Sequence, residues 1–363
     1  MIDRRVLTHF DWFTFFVVIV LAAVGYASVY SATHGHMESI HRKELYWILI
    51  GLGCLAAAVI VNYSLLERFG YALWGASLTL LVMVILAGRS TAGAKRWIGL
   101  GFFSVQPSEL AKLALIVALA KYYSDRPLPA RGLTPRGLAA PGVLLIIPFL
   151  LIVKQPDLGT AIILWLIFWT MAAAVKINWK TLAGLLIAFA GVAPLGWRML
   201  KGYQKARLMS FLYPGKDTLG TGYHVMQSKI AIGSGGLTGK GFMNGTQGKL
   251  MFLPEHHTDF IFAVLAEEWG LIGAFVVLGL FLGLILSGLN TANNAKDRFG
   301  FLLAFGITAM FFWHVTINLG MVSGVLPVVG VPLPFISYGG SFLVTSMIGA
   351  GLMINVMMRR FMF

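Results

Sequence analysis

The sequence predicts an all-α, polytopic integral membrane protein, with about ten transmembrane helices and one long extracytoplasmic loop between the seventh and the eighth. Composition and one pattern predict this. Of 363 residues, 58% are hydrophobic and 12% are charged, about half the charged share of a soluble domain. The mean hydropathy is +0.80. Apolar runs of about 20 residues, enough for a helix to cross a bilayer core, recur from end to end. Together these exclude disorder, a coiled coil and an ordinary cytosolic enzyme. In lipid only helices and closed barrels satisfy every backbone polar group. The runs are continuous rather than alternating, so helices are expected.

The runs place spans at about 12–31, 45–62, 70–88, 107–123, 141–154, 159–175, 180–199, 265–289, 299–322 and 340–358, all within one domain covering 1–363. Arg4 and Arg5 precede the first run, which is long for a signal peptide and reads as an uncleaved first helix. The single cysteine, Cys54, lies inside the second run, so it forms no intrachain disulfide and reads as a packing residue. Pro107 suits the first turn of the fourth span. The fifth is short. Pro141 and Pro148 bracket it and Pro156 follows, so it is expected to tilt or break where protein or a cavity covers it.

An even number of spans puts both termini on one side. The short connections on that side carry Arg68, Lys121, Arg126, Arg131, Arg136, Lys176, Lys180, Lys296 and Arg298, and the termini add Arg4, Arg5, Arg359 and Arg360. The excess of cations on cytoplasmic loops therefore places both termini in the cytoplasm. A net charge of +14 would suggest nucleic acid in a soluble chain. Here the basic residues lie in loops between spans, which points to lipid head groups, phosphates or topology signals instead. The loop at 200–264 carries Lys201, Lys205, Arg207, Lys216, Lys229, Lys240 and Lys249. Attraction to lipid head groups and a bound phosphate or pyrophosphate are both readings of that cluster. No internal sequence repeat of the transporter kind is visible.

Within that loop, Gly233 to Gly241 is glycine-rich but fails the spacing of a phosphate-binding P-loop, and Gly241 stands where Ser or Thr would hold magnesium. Its backbone N–H groups beside Lys240 could cradle an anion, or the run could be a flexible turn. Next come Glu255, His256, His257, Thr258 and Asp259 at the mouth of the eighth span. Adjacent histidines lack the helical spacing of a zinc motif. Asp259 could be a helix-capping acid or a general base poised at the membrane rim. Glu267 and Glu268 are expected at the outer interface, with Asp259 about 12 Å further out along a continuous helix.

Two further clusters open spans. In Gln106-Pro107-Ser108-Glu109-Leu110-Ala111-Lys112 the acid and base stand three apart and can pair. A lysine inside an apolar helix is costly and is a functional candidate by default, with a structural ion pair as the rival. In Gln155-Pro156-Asp157-Leu158-Gly159-Thr160, Asp157 is placed to cap the sixth span.

These strings resemble the SEDS family, as do Asn318-Leu319-Gly320-Met321 and the segment from Pro327 through Pro332, Pro334, Ser337, Tyr338 and Gly339 to Ser341. The resemblance covers nearly the whole chain, with the motifs in the family's order. The short termini and the wording of 254–260 look more like the elongation branch than the division branch. The resemblance implies a ten-span peptidoglycan glycosyltransferase of the bacterial inner membrane. Its substrate would be lipid II, a disaccharide-peptide on undecaprenyl pyrophosphate, and its partner a class B penicillin-binding protein. Asp259 matches the family's essential aspartate.

The implied reaction joins a sugar hydroxyl to the anomeric carbon of a lipid-linked strand as polyprenyl pyrophosphate leaves. Asp259 is the expected base. Lys112, Arg96, Lys240 and Lys249 are the expected cations for the leaving group, with Glu109 holding Lys112 and Asp157 shaping the cleft. No resident metal or cofactor is called for, beyond a divalent cation, magnesium or manganese, as a candidate at the pyrophosphate. Pro332 and Pro334 suggest a rigid re-entry into the last span, forming a cleft wall or part of the partner interface. A lipid II flippase and a non-catalytic scaffold for a penicillin-binding protein are the rival readings.

Overall fold

The computed structural model describes residues 9–34, 38–91, 94–100, 103–127, 132–199, 202–213, 221–246 and 257–360. Each predicted span coincides with a helix: α1 (Trp12–Thr33), α2 (Glu38–Ile60), α3 (Tyr63–Ala87), α4 (Pro107–Ser124), α5 (Pro135–Lys154), α6 (Leu158–Ala174), α7 (Trp179–Met199), α10 (Ile261–Asn293), α11 (Arg298–Val322) and α12 (Gly340–Met358). Two further helices, α8 (Gly202–Leu212) and α9 (Thr221–Ser234), lie in the loop between the seventh and eighth spans. Among the described residues, seven helices are long and apolar enough to cross a membrane, and α6 is a shorter apolar one.

Polar side chains set the helix starts. Asp11 accepts from the backbone N–H and the hydroxyl of Thr14, Asn62 from the N–H of Ser64, and Asp297 from the N–H of Gly300 at 2.7 Å. Each occupies one of the donors that the first turn leaves unpaired.

The proline-rich fifth span is one unbroken helix, so of the expected tilt or break the break does not occur. Helix α5 starts at Pro135, behind a Thr134 cap, and runs through Pro141 and Pro148. A proline removes the N–H that would bond the carbonyl four residues back, which for Pro148 is that of Leu144. The indole Nε1 of Trp74 donates to this carbonyl at 3.0 Å, so a neighbouring helix supplies the missing donor.

Short strands between the third and fourth spans stand beside the predicted helices. They form an antiparallel sheet in the order β1 (Arg89–Thr91), β2 (Ala94–Leu100) and β3 (Phe103–Val105). The register pairs Ile98 with Val105 and Gly99 with Ser104. The pairing satisfies backbone groups of a connection too long to leave open.

Helices α4, α6, α11 and α12 form the interior. Buried residues make up 83% of the most apolar window of α12 and 72% of that of α11, against 22% for α2 and for α3. On the outer helices large apolar side chains stay exposed, among them Leu49, Leu86, Leu150, Ile187 and Phe275. In water such a surface would aggregate. In lipid it is the solvated face.

Candidate functional site

Consecutive spans run in opposite directions, so α4, α6, α10 and α12 all begin at one end of the bundle. Four helix N-termini, each a partial positive charge with unpaired N–H groups, therefore share that end. The motif residues lie at these starts, and the structure joins them.

Asp157 caps α6, accepting from the Thr160 N–H at 3.4 Å. Its carboxylate also accepts from Gln106 Nε2 at 2.8 Å and Ser108 Oγ at 3.2 Å, both at the start of α4. The Gln106 N–H in turn donates to Ser341 Oγ at 3.0 Å, and that hydroxyl donates to the Ser104 carbonyl at 3.1 Å. Arg96, from β2, lies 3.9 Å from Asp157 through Nη1. Its Nε donates to the Gln155 carbonyl at 3.1 Å and its Nη2 to that of Pro156. Arg96 thus belongs to the cleft, with part of its donor capacity already committed.

Lys112 is wholly buried. Its ammonium lies 2.7 Å from Glu109, as the spacing predicts, and 2.8 Å from His314 Nε2, over the ring of Phe342. His314 Nδ1 lies 3.3 Å from the Pro332 carbonyl. One helical turn further along α11, Asn318 Nδ2 donates to the carbonyls of Val331 at 2.7 Å and Asp259 at 2.9 Å. A polar chain thus links Glu109 to Asp259 along a single face of α11.

Asp259 stands just before α10. It keeps partial exposure while Phe260 to Glu268 are buried. The Tyr338 N–H donates to the His257 carbonyl at 3.0 Å, and their rings lie 5.8 Å apart. Burial and the nearby Glu44 carboxylate hold the Tyr338 phenol above its usual range, so it remains a proton donor at neutral pH. Gly330 has φ 75°, and a methyl group there would stand 3.2 Å from Asp259 Oδ2. A methyl on Gly159 would meet the Val329 and Gly330 carbonyls within 3 Å. Glycine at both positions lets the start of α6, the 329–331 segment and Asp259 meet.

The helix that holds Glu267 starts at Ile261, two residues past Asp259, and is interrupted only beyond Glu268. Helix α10 breaks at Gly270, with φ 67° and ψ −164°. The glycine-rich run inserts at the break. Leu271 and Ile272 donate their N–H groups to Gly236 and Leu237, while Glu267 and Glu268 accept from the N–H groups of Lys240 and Gly241. The run thus replaces two helical hydrogen bonds with its own, and those two N–H groups cradle no anion. Nor do the two glutamates mark an exposed interface, being 0% and 3% exposed. Glu267 accepts from Lys240 Nζ at 2.6 Å and from Thr246 N–H and Oγ at 2.8 Å, and Glu268 from Ser31 Oγ. Lys240 is thereby paired within the loop. Lys249, Glu255 and His256 lie outside the described residues. Among the described residues no three His, Cys, Asp or Glu side chains gather as a metal site would require.

Sequence reasoning did not single out His314 as a site residue, and read Asn318 as part of a motif without a role. Both are buried polar groups in an apolar helix. Polar groups facing a bundle interior are the signal that marks such positions.

A many-helix membrane bundle with a carboxylate and buried charges gathered at one end is a polytopic membrane protein with a polar cleft. The chain matches the FtsW/RodA/SpoVE family, described as cell cycle protein, over residues 4–361, and it belongs to that family. It is 41% identical to the peptidoglycan glycosyltransferase MrdB of Escherichia coli K12 over 343 residues, 94% of this chain and 92% of that one. Among solved structures, it is similar to a peptidoglycan synthase complex that coordinates polymerization and crosslinking, with TM-score 0.85 and 32% identity over 98% of this chain and 99% of that one. It is also similar to the rod shape-determining protein RodA of Thermus thermophilus, with TM-score 0.73 and 30% identity over 98% of both chains.

Proposed function

We propose that this chain, a peptidoglycan glycosyltransferase serving cell shape, polymerises lipid II into glycan strands during cell-wall elongation, with Asp259 as general base. The carrying observation is the partly exposed Asp259 at the convergence of four helix N-termini, tied by Asn318 and Gly330 to the other motifs.

An acceptor sugar hydroxyl is a weak nucleophile, and a carboxylate within hydrogen-bond reach removes its proton as attack develops. The oxygen bonds to the anomeric carbon of the lipid-linked donor. The bond from that carbon to the phosphate oxygen breaks, and polyprenyl pyrophosphate leaves with the electron pair. Helix N-termini and Arg96 offer preorganised positive charge to the departing group. Lys112, wholly buried, acts as a fixed charge beneath the cleft. Lys240 holds the loop through Glu267, and Lys249 remains a candidate cation. Any magnesium or manganese ion would take most of its ligands from the pyrophosphate.

The partner is a class B penicillin-binding protein, as fits similarity to a synthase complex that couples polymerization to crosslinking. The protein sits in the bacterial inner membrane with both termini cytoplasmic and Asp259 on the periplasmic side. The test is purified protein with its partner, given fluorescent lipid II. Asp259→Asn and Asp259→Ala should lower the polymerisation rate by about 100-fold or more with folding retained. Full polymerisation by either variant would leave a flippase or a scaffold as the better reading.

A further inference from the structure

A cavity of about 30 Å³ opens between α8, α9 and the loop after α11, lined by Arg207 and Ser210, by Val225 and Lys229, and by Gly324 and Val328. Val225 and Lys229 stand four apart and share one face of α9. The cavity holds two or three oxygen-sized groups, the scale of a phosphate and not of a sugar ring.

Two cations line this space, and among the described residues neither makes an ion pair or hydrogen bond. A lysine at a helix C-terminus is usually explained by the carbonyls it meets there. Here those carbonyls already carry other partners. Of the last four carbonyls of α11, Leu319 accepts from the Ser323 N–H, Gly320 from the N–H groups of Val325 and Leu326, Met321 from the Gly324 N–H, and Val322 from Ser228 Oγ. Lys229 is exposed at the cavity mouth and makes no hydrogen bond to them. The position is also built. Gly324 has φ 72°, and a methyl there would stand 2.4 Å from Lys229 Cε, so the loop is shaped around that side chain.

The cavity adjoins the reaction centre. Val328 lines it, and two residues on, no more than about 7 Å of chain, Gly330 lies against Asp259. His224, one residue before Val225, packs its ring 6.3 Å from that of Phe260, which follows Asp259. Arg96 instead bonds the start of α6 at Gln155 and Pro156, where Gly159 packs against Val329 and Gly330. Each of these two cationic positions is thus a few residues along the chain from a contact with the 329–331 segment, which lies against Asp259.

We propose that Arg207 and Lys229 form a second lipid-phosphate site, holding one phosphate group of one lipid-linked saccharide while the Arg96 side of the cleft takes the other. This rests on the proposed glycosyl transfer, which needs two such substrates at once. The shared chemistry is a phosphate borne by a membrane lipid.

The test uses the full-length protein with its partner in phosphatidylcholine nanodiscs. Arg207→Gln/Lys229→Gln should raise the KM for lipid II about tenfold or more, the scale of one lost charge-assisted hydrogen bond, with kcat nearly unchanged. The charge-preserving Arg207→Lys/Lys229→Arg should keep KM near wild type, and single Arg207→Gln gives the same reading if the double variant does not fold. In the Asp259→Asn background, fluorescent lipid II binding measured by anisotropy should weaken by the same factor. That arm reads the site even if Asp259 proves dispensable, so failure of the chemistry and failure of the site are distinguishable. Unchanged KM and unchanged binding would overturn the proposal. So would an effect seen only when phosphatidylglycerol is added, which would assign the cavity to bulk lipid head groups.

Discussion

The Glu109–Lys112 pair shows what burial does to a charge. Both side chains are almost completely enclosed and lie 2.7 Å apart. Such a pair adds little net stability, but removing one member leaves the other charged and unsolvated, at a cost of about 3–5 kcal/mol. Lys112→Ala is therefore expected to fold poorly, and Glu109→Gln/Lys112→Met to recover most of the loss, as read by thermal unfolding in detergent. If the charge also stabilises the departing pyrophosphate, the folded double variant should polymerise lipid II at least about tenfold more slowly, one charge-assisted contact in the transition state. Wild-type turnover by that variant would reduce the pair to structure alone.

Among the elements, α10 is the one whose irregularity has consequences. Its upper turns carry Phe260 to Glu268 into the interior beside Asp259, and its lower turns face lipid with Leu271, Ile272 and Phe275 exposed. The break at Gly270 allows one helix to serve both. A methyl on Gly270 would stand 2.3 Å from the Gly239 nitrogen, at a φ of 67°. Gly270→Ala should cost about 2 kcal/mol or more, from left-handed backbone strain plus the clash, and should lower kcat because the segment holding Asp259 shifts. Gly279→Ala in the same helix meets nothing within 4 Å and is the control. Equal stability and rate in the two variants would show that the inserted glycine-rich run can be displaced without effect.

For the whole molecule, the alternation of span directions puts the four motif-bearing starts at one end and the cation-rich short connections at the other. The proposed orientation can be read directly. In a Cys54→Ser background, Leu237→Cys and Lys296→Cys place thiols on exposed positions, one beside the Gly270 break and one past the C-terminus of α10. A membrane-impermeant maleimide should label the first in intact spheroplasts and the second only after permeabilisation. The reverse pattern would invert the protein and put Asp259 in the cytoplasm.

The sequence by itself determined the number and place of the apolar helices, the Glu109–Lys112 pairing, the cap at Asp157 and the candidacy of Asp259. All of these follow from interactions within one segment: the length needed to cross lipid, the spacing of a helical turn, the orphan donors of a first turn. Tertiary structure decided which polar groups are already spent. It bound Lys240 to Glu267, used the glycine-rich run to complete a broken helix, filled the Pro148 gap with Trp74, and placed Asn318 between Asp259 and Val331. None of these partners is near in sequence. In a medium without water a buried donor or acceptor is matched across the fold, and that match is chosen only when the helices pack.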